Sequence, residues 1–337
     1  GQSVRSIGDN AFSNCYNLSN FAFGESLLTI GNYAFFGCES LTACTGATAL
    51  EEIGMNAFAD CSALTTVTLP ETLKSIGQSA FSGCGKLKSI AIPSLITSLE
   101  SATFHGCSSL ASISGCRSLT TIGDRAFYQC SSLMKVAMSV LATVGMESFY
   151  GCSSLTSVSM PLLSSMGTYS FYGCSSLGSV NFSSNLSKIP DYAFADSGIM
   201  GIEGGNCLTA IGTRAFYNCD RLTSVSIPIS VKTLGVESFR DCDALRQLTL
   251  NSGLSSIGSY AFENCDGLTS VTTNVGLSTI GSYAFANCRS ISSVTLNDGI
   301  SSVDSYAFSG CTGLTSLDEM PKNITRIYTR GFSNCTN

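Results

Sequence analysis

The sequence predicts a solenoid of stacked short repeats, each contributing one turn and one strand, and three observations carry that prediction. A stretch typified by Ser259-Tyr260-Ala261-Phe262-Glu263-Asn264-Cys265-Asp266-Gly267-Leu268 recurs from one end of the 337-residue chain to the other. Aligned on its Phe it gives fifteen copies, from Phe12 through Phe239, Phe262 and Phe285 to Phe332, spaced 22, 23 or 24 residues apart and most often 23. Within each copy the apolar period switches from helix-like to strand-like. A fixed period of this size marks an array whose units bury their apolar faces against their neighbours. Residues 1–337 therefore read as a single array, with one local defect at residues 196–206.

The turn comes first in each unit. Ala261, Phe262, Cys265 and Leu268 lie at offsets that share one helical stripe. The residue before the Cys is Gly, Asn or Asp in fourteen of fifteen copies, Gln129 being the exception. Those residues tolerate positive φ and commonly stop a helix. Three residues before the Phe, a Ser, Thr, Asp or Asn able to cap a helix start occurs in eleven copies, among them Asp9, Ser101, Thr213 and Ser282. Start and stop are so close that the expectation is a single helical or 3₁₀ turn per repeat.

The strand follows. Leu222-Thr223-Ser224-Val225-Ser226-Ile227-Pro228 alternates apolar and hydroxyl residues, the pattern of a short half-buried strand closed by Pro. Stacked copies predict one parallel sheet with strands about 4.8 Å apart. Its outward positions form rows of hydroxyls such as Ser224, Ser226, Ser270 and Thr272. Gly46 and Gly115 replace the second apolar strand residue in two repeats, which predicts weaker or bulged strands there. The ninth repeat carries Ser197 in place of the Cys and extra glycines at Gly201, Gly204 and Gly205, so it is expected to be the weakest point.

The L-x-x-V-x-L strand core is that of a leucine-rich repeat. The whole unit, I-G-x-x-A-F-x-x-C-x-x-L-x-x-V-x-L-P, resembles the BspA-like leucine-rich repeat family over essentially the full chain. That resemblance implies a leucine-rich repeat solenoid with a parallel β-sheet on one face and the turns on the other. It also implies a non-enzymatic, cell-surface or secreted adhesin of a host-associated bacterium or anaerobic protist, binding host matrix proteins, glycans or neighbouring cells. A structural subunit that packs into a larger intracellular assembly, with possible self-association, is the alternative reading.

Composition narrows the classes. The chain has 17 basic and 23 acidic residues and a net charge of −6, with no basic stripe, so nucleic-acid binding is not expected. No apolar run approaches the length of a membrane span, and no membrane insertion by this segment is expected. Gly1 and Asn337 both fall inside a repeat, which suggests a portion of a longer chain.

No cofactor or metal is expected, because a single His and the absence of any C-x-x-C pair offer no zinc ligand set. Fourteen of the seventeen Cys residues hold the ladder position, including Cys242, Cys265 and Cys288, and read as small buried thiols. His105 has no serine specified as a partner, so no catalytic residue is assigned. Tyrosines form two rows, one at Tyr260, Tyr283 and Tyr306 and one at Tyr128, Tyr150 and Tyr172. Between Arg214 and Arg246 the charges thicken, and Tyr217, Arg221, Arg240 and Arg246 are the candidate binding residues, since Arg and Tyr supply contact energy that Ser and Thr do not.

Overall fold

The computed structural model describes residues 3–317 and 320–335. Residue contacts group them into two compact units, 1–163 and 164–337. Each unit is a parallel β-solenoid in which every rung contributes two short strands and a run of tight turns. In unit 1, strands such as Ser6–Ile7, Thr29–Ile30, Glu52–Ile53 and Ser75–Ile76 stack as one sheet, and Asn20–Ala22, Ala43–Thr45 and Thr66–Val67 stack as another. In unit 2, seven strands from Lys188–Ile189 to Arg326–Ile327 form one continuous parallel sheet. Ser270–Thr272, Ser293–Thr295 and Ser316–Leu317 pair beside each other on the second strand position.

The registers repeat the sequence period. Ser256 and Ile257 face Thr279 and Ile280, while Ser270, Val271 and Thr272 face Ser293, Val294 and Thr295. The expected parallel pairing is therefore present at the L-x-x-V strand, but as separate sheets of two to four strands rather than one, and an additional two-residue strand, commonly ending at the Ile before a Gly, precedes it. Where adjacent rungs both carry that Gly, their backbones approach closely. A Cβ on Gly258 would meet the carbonyl carbon of Gly235 at 2.6 Å, and one on Gly235 would meet that of Gly212 at 2.5 Å. Rungs that carry Glu100, Pro190 or Asp304 at this position also stack in register, so Gly eases the approach where it occurs on adjacent rungs.

The turns differ from the expectation of a helical or 3₁₀ turn: among the described residues no helix of either kind forms. Two residues per repeat are left-handed, one before the Cys and one two before the Phe. In one copy they are Asn264 and Tyr260, both at φ 60°. The first was expected; the second interrupts the helix after its first residue. Backbone N–H groups then alternate in direction. Those of Tyr260, Phe262 and Asn264 donate to Ser282, Ala284 and Ala286 of the next rung at 2.7–2.9 Å, while those of Ala261, Glu263 and Cys265 close local turns onto Gly258, Tyr260 and Phe262. Left-handed geometry costs an L-residue about 1–2 kcal/mol, and the inter-rung hydrogen bonds offset it.

The Phe ladder fills the core. Phe239, Phe262 and Phe285 are fully buried, their rings stacked 5.2 Å apart and within 5° of parallel. Ala43–Thr45 pairs with both neighbouring strands despite Gly46, whereas Ser112–Ser114, before Gly115, pairs only with Ser89–Ala91 and ends its sheet, as a weakened strand would. Both glycines lie just beyond, at φ 101° and 77°, where they redirect the chain. The ninth repeat keeps phase. Ile199 is buried, Asn181 and Phe182 face Glu203 and Gly204, and Ser197 takes the buried thiol position with its hydroxyl 3.6 Å from Cys219 Sγ.

Candidate functional site

Most of the chain's conspicuous chemistry is committed to stacking. The interior ladder thiols donate to the carbonyl of the Phe one rung earlier, as Cys242 does to Phe216, Cys265 to Phe239 and Cys288 to Phe262, at 3.0–3.2 Å. A small side chain with a weak donor suits that position, where a larger group would part the Phe rings. All seventeen cysteines are free thiols. Burial pushes Cys107, Cys152 and Cys311 up to about 12 and holds Cys242 and Cys265 well above the ordinary thiol range.

Part of the hydroxyl content is internal too. Thr65 donates to the Thr42 carbonyl, and Ser278 and Ser301 donate to the carbonyls of Ser255 and Ser278, at 3.1–3.3 Å. Each such residue bonds one rung back, just outside a strand. The hydroxyls that remain outward are those on the strands themselves: Ser224, Ser226, Ser270 and Thr272 are exposed.

The densest charged cluster lies on the turn flank of unit 2. Arg214 makes two bonds to Glu237, at 2.7 and 3.0 Å, and one to the Tyr192 hydroxyl at 2.9 Å. Its guanidinium lies 5.5 Å from the ring centres of both Tyr192 and Tyr217. One rung on, Arg240 meets Glu237 at 3.2 Å, Glu263 at 2.9 Å and Asp241 at 3.6 Å, and sits 5.7 Å from the Tyr260 ring centre. Burial works against the Arg240 charge, but Glu263, Asp241 and Glu237 outweigh it and keep its proton bound more firmly than usual. Glu263 is held above the usual carboxylate range, because burial and two neighbouring carboxylates exceed what one shared arginine returns. The Tyr217 hydroxyl donates to Asp241, which together with burial raises it.

The structure thus divides the four candidate residues. Tyr217 and Arg240, at the same turn position on successive rungs, are half-buried and braced by carboxylates. Arg221 and Arg246 are exposed where each rung leads into its second strand. Arg221 touches the Met200 sulfur at 3.7 Å, and Arg246 bonds through its backbone to Thr223. Sequence reasoning missed Glu237 and Glu263. The available signal was opposite charge one repeat apart, which also links Lys74 to Glu51, Arg125 to Glu147 and Arg289 to Asp266 at 2.6–2.8 Å.

The tyrosine rows stack as ladders, Tyr260 on Tyr283 at 4.7 Å, Tyr283 on Tyr306 at 4.6 Å and Tyr128 on Tyr150 at 4.8 Å. His105 tilts against Tyr128, with burial, and then Arg125, lowering its basicity. Ser82 Oγ stands 3.5 Å from its Nδ1, beyond the 2.6–3.2 Å over which a base activates a nucleophile. Among the described residues no group of His, Cys, Asp and Glu is gathered to hold a metal ion, and no helix is long and apolar enough to cross a membrane.

Two-stranded rungs, a Phe–Cys core and parallel in-register pairing define a leucine-rich repeat solenoid, the scaffold of a protein-interaction module rather than of a typical enzyme. The BspA type leucine rich repeat region matches in six copies over residues 1–110, 74–200 and 209–337, and the chain belongs to that family. A leucine-rich repeat protein from Bacteroides ovatus is similar in structure at 26% identity and a TM-score of 0.69, over 98% of this chain and 80% of its own. One from Eubacterium ventriosum shares the fold at 24% identity and a TM-score of 0.52, over 94% of this chain and 82% of its own. No protein of curated function matches the sequence.

Proposed function

We propose that the chain is a non-enzymatic binding array, part of a cell-surface or secreted adhesin that contacts host matrix proteins or other cells, and that the flank between Arg214 and Arg246 is its principal protein-contact surface. One observation carries this reading. The buried ladder thiols and the Phe ladder serve the stack, while the exposed chemistry on the flank suits only non-covalent contact. There Arg221 and Arg246 are exposed, and Tyr217 and Arg240 are already held in place by carboxylates. Arg and Tyr anchors of this kind carry interface energy, and a preformed geometry reduces the entropy lost on binding. Membership of the BspA-type family supports the surface location.

The test compares two variants for binding to immobilised matrix proteins and to intact cells. Arg221→Ala with Arg246→Ala removes the exposed flank cations; Ser224, Ser226, Ser270 and Thr272 changed together to Lys crowd the sheet face. Binding should fall in the first variant and persist in the second. Loss confined to the second would move the site to the sheet. Loss in neither would favour the second reading, a structural subunit of a larger intracellular assembly, for which the seventeen free thiols speak.

A further inference from the structure

Unit 1 contains a groove of about 510 Å³ on its second-strand face, within the size range of ligand sites. It opens where one repeat departs from the pattern. Neighbouring rungs place Ile92 and Met138, both buried, at the residue after the strand, whereas this rung has Gly115. Gly115 stands at φ 77°, and a Cβ there would meet the Ile92 carbonyl oxygen at 2.1 Å, so no larger residue fits and the space above it stays open. Met138 and Ile113 give the groove an apolar lining.

Its polar lining is unlike the rest of the chain. Arg117 and Lys135 line it, both exposed, and no carboxylate does. Lys135 is the only charged residue on the described second-position strands of unit 1, and it faces Ser157 in register where other rungs carry Ser, Thr, Ala or Asn. Ser114, Ser139 and Ser159, all exposed, complete the polar lining. In a chain of net charge −6, two cations without a carboxylate between them form a local site for an anion.

We propose that this groove binds a uronate-bearing glycan, with Arg117 and Lys135 taking sugar carboxylates and the three serines exchanging hydrogen bonds with sugar hydroxyls. The charge density selects the ligand. Two cations among several hydroxyls match a polymer with one carboxylate per sugar; a densely sulfated chain calls for a cluster of Lys and Arg. The Arg fork fits a carboxylate with two parallel hydrogen bonds. Serine hydroxyls both donate and accept, as sugar hydroxyls require. The site rests on the reading of the chain as a surface binding array and adds a ligand class to it, on a surface separate in sequence from the flank.

The experiment is titration calorimetry of the 337-residue protein with a hexamer of galacturonic acid, a heparin hexasaccharide and hexaglutamate. Galacturonate should bind, and bind more tightly than the other two. Arg117→Ser and Lys135→Ser should each weaken it about tenfold, as loss of one charge-assisted hydrogen bond does. Arg221→Ala with Arg246→Ala removes two cations elsewhere, twice the charge of either groove variant, and should leave it unchanged. No galacturonate binding, tighter binding of heparin or hexaglutamate, or equal loss in the flank variant would overturn the proposal. Matrix-protein and cell binding, measured on the same variants, reports on the flank separately. Groove substitutions that abolish galacturonate binding while cell adhesion persists separate the two sites, and a failed adhesion assay with intact galacturonate binding sinks only the flank.

Discussion

Raising the pH from 8 to 10 should loosen unit 2, because its rungs bury protonated thiols. Burial pushes Cys311 from an ordinary value of 9.0 up to about 12, and holds Cys242 and Cys265 well above the ordinary value by the same cause. In the unfolded chain these thiols lose their protons near pH 9, while the folded rungs retain them. Above that pH the unfolded state binds fewer protons than the native one, so stability falls as pH rises; below about pH 8 the effect is absent. Each thiol contributes about 1.4 kcal/mol of loss between pH 8 and 10, and the three together about 4 kcal/mol. With a urea slope of about 2 kcal/mol per molar, the unfolding midpoint should drop by roughly 2 M. The assay is urea unfolding followed by circular dichroism at pH 8, 9 and 10 in reductant. Cys265→Ala should remove about a third of the pH dependence while lowering stability at pH 8 by about 1 kcal/mol, the worth of one hydrogen bond. A midpoint constant across this range, or a dependence untouched by Cys265→Ala, would refute the buried-thiol account.

Three further outcomes follow from the packing. Phe262→Ala should cost about 3–5 kcal/mol, and hydrogen exchange should show the lost protection confined to neighbouring rungs; uniform loss along the chain would contradict nearest-neighbour coupling. Ala102 sits at φ 57°, so Ala102→Gly should stabilise its unit by up to about 1 kcal/mol by relieving left-handed strain, whereas a helical turn would lose about 1 kcal/mol from the same change. Ser238 is fully buried, and its hydroxyl has no hydrogen-bond partner, while Ala215 and Ala261 fill the same site on adjacent rungs. Ser238→Ala should therefore raise the thermal midpoint, by an amount equivalent to about 1–3 kcal/mol, and a lowered midpoint would show that the hydroxyl is satisfied.

The ladders were legible because they are periodic: Phe262, Cys265 and Val271 recur at one spacing and each fills one buried column. The strand before the turn, such as Ser256–Ile257, was less so. Leu254-Ser255-Ser256-Ile257 has the same Leu-to-apolar spacing as Leu268-Thr269-Ser270-Val271, but its strand is only two residues long and ends at a glycine, too short to show a period of two. The turn misled because its first left-handed site accepts Tyr260, Arg214, Glu237 or Ala102, none of which announces positive φ. Their geometry is imposed by hydrogen bonds to the next rung, a tertiary constraint invisible in a local window. The flank was found from charge density alone, and its internal pairing of Arg240 with Glu263 needed the stacking of successive repeats to become visible. The groove has no periodic signature, since it arises where Gly115 departs from the repeat.

The central claim, that this array works by non-covalent surface contact, is tested most directly by adhesion of the purified chain to intact cells and immobilised matrix proteins, free in solution and displayed in many copies on beads. Weak contacts multiplied by repetition predict measurable adhesion that strengthens by about 10²–10⁴ on bead display, through effective concentration, and that falls when Arg221 and Arg246 are replaced by Ala. Absence of adhesion in both formats, with the chain instead assembling into higher oligomers, would contradict it.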